Sequence, residues 1–211
     1  MTGIYKRVLG EDFDCLHPEL GKKFGVHQKG VYRAVGKGHL EISGGKWWQR
    51  PFWQLGAKDH LFFPERGERV PFSIVTEAWR DKGGVERVSW IRRFYFDGVT
   101  RAFDAMMHYD PSSGMIIDDL GKSGRVTSSL RLKAEKDGGL SIVSDRTWLN
   151  MGRWKIPVPA VFAPQVVVKE RFDDEKQAFY VKVKVGSRLF GDLITYEGFA
   201  YTTYEEDTGK N

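Results

Sequence analysis

The sequence predicts a mainly β protein: an antiparallel barrel of the calycin or lipocalin type, with a β-sandwich as the alternative, preceded by short N-terminal helices. Three observations carry this. From Gly30 onward apolar and polar residues alternate with period two, the mark of strands with one buried face. Turn signals separate the alternating runs at Asp81-Lys82-Gly83-Gly84, Asp97-Gly98, Asp110-Pro111-Ser112-Ser113-Gly114, Asp137-Gly138-Gly139 and Asp173-Asp174-Glu175-Lys176. The chain can also build a core. It has 211 residues, 14% of them aromatic, and at this length about 70% of the unfolded surface can leave water. Roughly nine or ten strands are expected, enough to close on themselves or stack as two sheets.

The elements follow in order within a single domain, 1–211. Residues 1–26 read as a helical cap, because Ile4, Tyr5, Val8 and Leu9 share one helix face and Phe13, Leu16, Leu20 and Phe24 continue it. A break is expected before Pro18. Residues 30–204 read as the barrel and 205–211 as a tail. Within the barrel region, Trp47 to Leu55 does not alternate and reads as a short helix or end cap.

The hairpins can be written in register. With Asp97-Gly98 as a two-residue turn, Phe96 faces Val99, Phe94 faces Arg101, Arg92 faces Phe103, Trp90 faces Ala105 and Val88 faces Met107. Across Asp137-Gly138-Gly139, Ala134 is set opposite Ile142, Leu130 opposite Arg146 and Ser128 opposite Trp148. In the C-terminal hairpins Val168, Glu170 and Phe172 are set opposite Val181, Phe179 and Gln177. Val185 is set opposite Leu189, Glu197 opposite Gln177, and Gly198 is read as a bulge.

Charge narrows the function classes. Ten Lys/Arg face six Asp/Glu in residues 1–63, sixteen face thirteen in 64–160, and seven face nine in 161–211. The formal net charge of +5 favours acidic partners such as carboxylates, phosphates or anionic lipid. It is thinner than the basic stripe of a dedicated nucleic-acid binder, so nucleic acid is not the expected partner. One cysteine, Cys15, excludes an internal disulfide framework and reads as a small core residue. No apolar run approaches the ~20 residues of a spanning helix, and the start has no apolar leader, so a cytoplasmic location is expected.

Catalytic signatures are missing: there is no G-x-S-x-G elbow, P-loop or dinucleotide fingerprint. The five histidines have no spacing that sets two metal ligands on one helix face, and neither metal nor cofactor is expected. His108 is set opposite Arg87 on the polar face, within reach of Asp104, and reads as a solvated surface residue. Asp118-Asp119 reads as a strand-end turn.

The sharpest feature is a set of charges on apolar faces. The register puts Arg92, Arg101 and Arg146, with Glu170 and Glu197, beside Trp90, Phe103 and other core residues. Charges are almost never buried unpaired, so either these pair with one another or they serve a ligand. A guanidinium fork beside an apolar wall suits an amphipathic anion, and small barrels hold one ligand. The candidate binding residues are therefore Arg92, Arg101, Arg146, Trp90, Phe103, Glu170 and Glu197. The segment Trp47–Trp53, flanked by Lys46 and with Arg50 inside it, is either packing across a barrel end, an amphipathic lid making a peripheral membrane contact, or a stacking platform for nucleic acid, packing being the leading reading.

Four motifs carry a family likeness: Tyr5-Lys6-Arg7-Val8-Leu9-Gly10, Leu16-His17-Pro18, Gly30-Val31-Tyr32 and Glu86-Arg87-Val88-Ser89-Trp90-Ile91-Arg92-Arg93-Phe94. In these the chain resembles the bacterial domain-of-unknown-function family 4166, across nearly its whole length. Members of that family are similar to C-terminal parts of some membrane proteins and of saccharopine-dehydrogenase-like fusions. The resemblance implies an accessory role and supplies no catalytic residues. The leading expectation is thus a non-enzymatic binding domain holding a small amphipathic or lipid-like anion in a barrel cavity. An enzyme using an inward carboxylate is the alternative, and a nucleic-acid-binding module the second.

Overall fold

In the computed structural model, which describes residues 3–25 and 31–206, eleven strands form one continuous antiparallel sheet. They are β1 (Val31–Ser43), β2 (Gly67–Arg80), β3 (Glu86–Phe96), β4 (Val99–Asp110), β5 (Met115–Leu120), β6 (Val126–Ala134), β7 (Leu140–Met151), β8 (Trp154–Pro157), β9 (Gln165–Asp173), β10 (Ala178–Ser187) and β11 (Gly191–Glu206). Each strand pairs with its neighbour in the chain, except that β7 passes to β9 and leaves β8 at the sheet's edge. Pairings β1–β11 and β6–β7 close the other ten strands into a barrel, so among the described strands only β8 stands at a sheet edge. The expected antiparallel barrel is therefore the observed one. The sandwich is not.

The interior is apolar because the alternation is phased. Leu40, Phe72, Trp90, Phe94, Phe103, Met107, Ile116, Ile142, Val183, Ile194 and Tyr196 are all buried in one cluster. The β3–β4 register is the expected one throughout, from Phe96–Val99 to Arg92–Phe103 and Val88–Met107. Gly98 takes φ +75°, which the two-residue turn needs and a side chain resists.

Three registers differ from expectation. Ala134 pairs with Leu140 and Leu130 with Ser144, because the chain turns tightly at Glu135–Gly138. Val168 pairs with Val183, Glu170 with Val181 and Phe172 with Phe179, a slip of two that keeps every residue on its face. Val185 pairs with Ile194, and an irregularity between Val185 and Gly186 breaks the count, so β11 turns its other face inward. Gly198 is no bulge. It opposes Leu40 in an unbroken ladder, where a Cβ would stand 2.4 Å from the His39 carbonyl oxygen.

Two short helices, α1 (Ile4–Leu9) and α2 (Pro18–Phe24), cap one barrel end, joined by a 3₁₀ turn over Gly10–Cys15. Pro18 opens α2, where its missing N–H costs nothing. The cap is tied down by the His17 amide donating to the Gly138 carbonyl (2.9 Å) and by His17 stacking on Phe172. Cys15 is exposed, not a core residue, because the apolar face of this turn is supplied by Phe13 and Leu16.

The opposite end is crossed by residues 44–66, which carry a 3₁₀ turn (Trp47–Gln49) and α3 (Arg50–Lys58). This segment is bound to the turns beneath it: the Lys122 amide donates to the Asp59 carbonyl, Arg66 Nη2 to the Leu193 carbonyl, and Gln49 Nε2 to the Phe190 carbonyl, each at 2.8 Å. Trp53 is buried under the Arg66 guanidinium, so packing across the barrel end is its role. Trp47 and Trp48 are exposed. Among the described residues no helix is long and apolar enough to cross a membrane.

Candidate functional site

The charges expected on the inner face separate into three groups. Arg92 and Glu170 are inside, both buried. Arg101 lies at the end of the barrel, where its Nε and Nη2 donate to the two Glu65 carboxylate oxygens at 2.8 and 2.5 Å. Glu65 comes from the segment that crosses this end, so Arg101 clamps that segment and is not an interior group. Arg146 and Glu197 are outside, contrary to expectation. Asp145 and Arg146 are consecutive exposed residues of β7, where the ladder with β6 shifts register between Ser128 and Leu130. Glu197 faces solvent because of the β10–β11 register and receives Tyr180 Oη (2.5 Å) and Lys182 Nζ (2.9 Å).

Inside, a polar chain threads an otherwise apolar core. Lys23 of α2 reaches through the barrel end and pairs with Glu170. Arg92 Nε donates to the Phe103 carbonyl at 2.8 Å and its Nη1 to the Tyr196 hydroxyl at 3.1 Å. Its guanidinium lies 4.1 Å from the centre of the Phe103 ring, with Trp90 on another side. These contacts satisfy a buried cation without a directly paired carboxylate. Asp118 lines the same cavity as Arg92, with Oδ1 buried and unpartnered. Burial pushes the Asp118 carboxyl up to about 7, against the pull of Arg92 and with a smaller push from Asp119. Burial likewise raises Tyr5 and Tyr196 above the ordinary phenol range.

Sequence reasoning missed Asp118, Lys23 and Tyr196. The pairing of Asp118 with Ser128 in β5 and β6 sets it inward, and only strand length separates that from a turn. His108 does oppose Arg87 but is half-buried; burial and the Arg87 charge push it down. Asp104 instead meets His60 Nδ1 at 2.7 Å and Arg93 Nη1 at 2.5 Å.

The interior around Arg92 is nearly filled. Two cavities of about 30 Å³ flank it, one toward Glu170 and one toward Asp118, each with room for about a water molecule. The space lies further out. Between residues 56–62 and the barrel wall opens an apolar cleft of about 720 Å³, lined by Leu61, Phe62, Phe103, Leu120, Val126 and Val166, with Lys58 and Arg125 also lining it. That is the size of a small-molecule site. Phe103, Leu120 and Val166 line both this cleft and the small cavity holding Arg92 and Asp118, and so form the partition between them. A second hollow, about 480 Å³, lies outside β9 and β10 among Lys133, Lys136, Lys169, Arg171 and Lys182. Its walls are charged, and Lys133 and Lys182 are already paired with Glu135 and Glu197.

Among the described residues no cluster of three or more His, Cys, Asp or Glu stands ready for a metal. Fold and site together define a class: a closed antiparallel up-and-down barrel, packed and polar-threaded at its centre, with an apolar cleft at one end. The chain belongs to the family described as domain of unknown function (DUF4166), whose model matches residues 16–199. It is 33% identical over 207 residues to the uncharacterized protein YndH of Bacillus subtilis (strain 168), with 98% of each chain covered. A solved structure described as "Structural insights into dehydratase substrate selection for the borrelidin and fluvirucin polyketide synthases" aligns over 92% of this chain and 78% of its own. At 14% identity and a TM-score of 0.18, that alignment carries no fold argument.

Proposed function

We propose that the protein is a binding domain for a small amphipathic anion, held in the cleft at the α3 end of the barrel. The observation that carries this reading is the cleft itself: about 720 Å³ of mainly apolar wall whose lining includes the cations Lys58 and Arg125 against one acid, Asp59, which is already taken up by Ser123. An aliphatic tail placed against Leu120, Val126 and Val166 leaves water, while an acidic head meets Arg125 and Lys58. Arg92 is one partition deeper, behind Phe103, and its bonds to Phe103 and Tyr196 give it a structural task already.

The acid–base alternative rests on Asp118 better than on Glu170 or Glu197, because its carboxyl is held near neutrality. The adjoining cavity of about 30 Å³ has no room for a substrate, which favours binding over catalysis. For nucleic acid, the burial of Trp53 removes one of the rings that a stacking platform would use.

The test is a thermal melt with oleate and with oleyl alcohol, repeated on Arg125→Gln/Lys58→Gln and on Val126→Trp, which fills the cleft. Oleate is expected to raise the melting temperature of the wild type more than the alcohol does. The charge variant should lose that preference, and Val126→Trp should lose both shifts. A wild type indifferent to both compounds overturns the reading.

A further inference from the structure

The cleft continues outward onto an apolar face that is exposed among the described residues. In the β7–β8 hairpin, Leu149 pairs with Ile156 and Met151 with Trp154. Residues two apart in a strand share a face, so these four side chains lie together, on the face that lines the cleft at Leu149. All four are exposed, Met151 by 62% and Trp154 by 64%. Exposed apolar residues of three further segments belong to the same end of the barrel. Val161 and Phe162 precede β9, Leu189 is joined to Val161 by a backbone hydrogen bond of 3.1 Å, and Trp48 packs on Phe190 beside Trp47.

The charge of this face selects its partner. Residues 146–168 contain Arg146, Arg153 and Lys155 and neither Asp nor Glu, and the adjoining cleft is lined by Lys58 and Arg125 against the one acid Asp59. In the hairpin, Arg153 lies over Trp154 beside the apolar face, while Lys155 lies over Trp148 on the other face of the same two strands, so the tip carries a cation on each side. Aromatic and aliphatic tips interleaved with Lys and Arg match the boundary between headgroups and acyl chains of an anionic bilayer. A second copy of the chain fits less well. Like charges would meet across a symmetric contact, and the β8 edge is only four residues long and ends at Pro157, which blunts strand pairing. We infer that this end of the barrel docks on an anionic membrane surface through the β7–β8 hairpin, with the cleft mouth turned toward the lipid. The inference adds a partner to the proposed ligand site but does not require that site to be correct.

Co-sedimentation with vesicles of phosphatidylcholine alone, or with three parts in ten of phosphatidylglycerol, tests it. The wild type is expected to sediment with the anionic vesicles at least tenfold better than with the neutral ones, and to be released by salt. Met151→Ser/Trp154→Ser should lower binding at least tenfold, and Arg153→Gln/Lys155→Gln should remove the preference for anionic vesicles. Tyr201→Ser, which removes an exposed ring from β11, should change neither. Far-UV circular dichroism verifies that the variants are folded. The oleate melt of Met151→Ser/Trp154→Ser separates the two readings, since loss of docking with ligand response intact leaves the cleft proposal standing. Absence of anionic-vesicle binding by the wild type overturns the inference. So does a wild-type dimer in sedimentation equilibrium that Met151→Ser/Trp154→Ser converts to monomer.

Discussion

Lys23 of the N-terminal cap and Glu170 of β9 form a buried ion pair inside the barrel end, their side chains 9% and 4% exposed. The pair joins two parts of the chain 147 residues apart. It makes the cap part of the barrel's interior chemistry and leads to the first prediction. Lys23→Met alone leaves a carboxylate without its partner and should cost about 3–5 kcal/mol. Lys23→Met/Glu170→Leu should recover most of that loss, because an apolar pair needs no desolvation of charge. Urea titrations of the two single variants and the double variant measure both.

Asp118 predicts how stability varies with pH. Its folded-state pKa, about 7, lies above its ordinary 3.8, so the folded protein holds a proton that the unfolded chain has lost between those values. Its contribution is therefore greatest at low pH and is lost as pH rises toward 7, by ~4 kcal/mol in all. His108, pushed below its ordinary 6.5, acts in the opposite sense and favours the folded state less as pH falls. The readout is thus the difference between wild type and Asp118→Asn. Relative to the variant, the wild type should gain stability from pH 8 to pH 5, and parallel melts across that range would contradict the assignment.

The Asp118 carboxyl should respond to removal of the Arg92 charge. The guanidinium lowers the Asp118 pKa, so Arg92→Met should move the midpoint of that pH dependence above the wild-type value. It also removes the donors to the Phe103 carbonyl and the Tyr196 hydroxyl, a cost of about 1–3 kcal/mol for each buried group left unpaired. Melts of Arg92→Met between pH 5 and 9 test the shift, and an unmoved midpoint contradicts the coupling.

Arg101 should prove to be a clamp. Its bidentate pair with Glu65 is partly exposed, so Arg101→Met should cost no more than about 1 kcal/mol and leave the oleate shift unchanged. A double-mutant cycle with Glu65→Gln gives the pair energy. Lost oleate binding with intact stability would instead return Arg101 to the ligand site.

The parts of the fold that were legible in the sequence are the ones decided by short-range geometry. Period-two alternation defined the strands, and Asp97-Gly98 leaves two residues for a turn, which admits a single register for β3 and β4. Arg92, Trp90 and Phe103 were placed inside for that reason, and inside they are. Longer turns have no such constraint. Between Val185 and Ile194 the chain takes a longer path with an irregularity, and one residue of parity is enough to move Glu197 from core to solvent. A single shift in β7 does the same for Arg146.

By itself, then, the sequence determined a mainly β antiparallel fold with helices at its start and Arg92 on an inner face, with a barrel favoured over a sandwich. Tertiary structure decided which charges meet. Lys23 and Glu170, and Arg101 and Glu65, are brought together by the segments that cross the two barrel ends, while Arg92 and Asp118, two strands apart, line one small cavity without forming an ion pair. It also moved the open space from the barrel centre to its mouth. Side chains as large as Trp90, Phe94, Phe103 and Tyr196 fill a ten-strand interior once their rotamers interlock, and only packing in three dimensions shows whether they do.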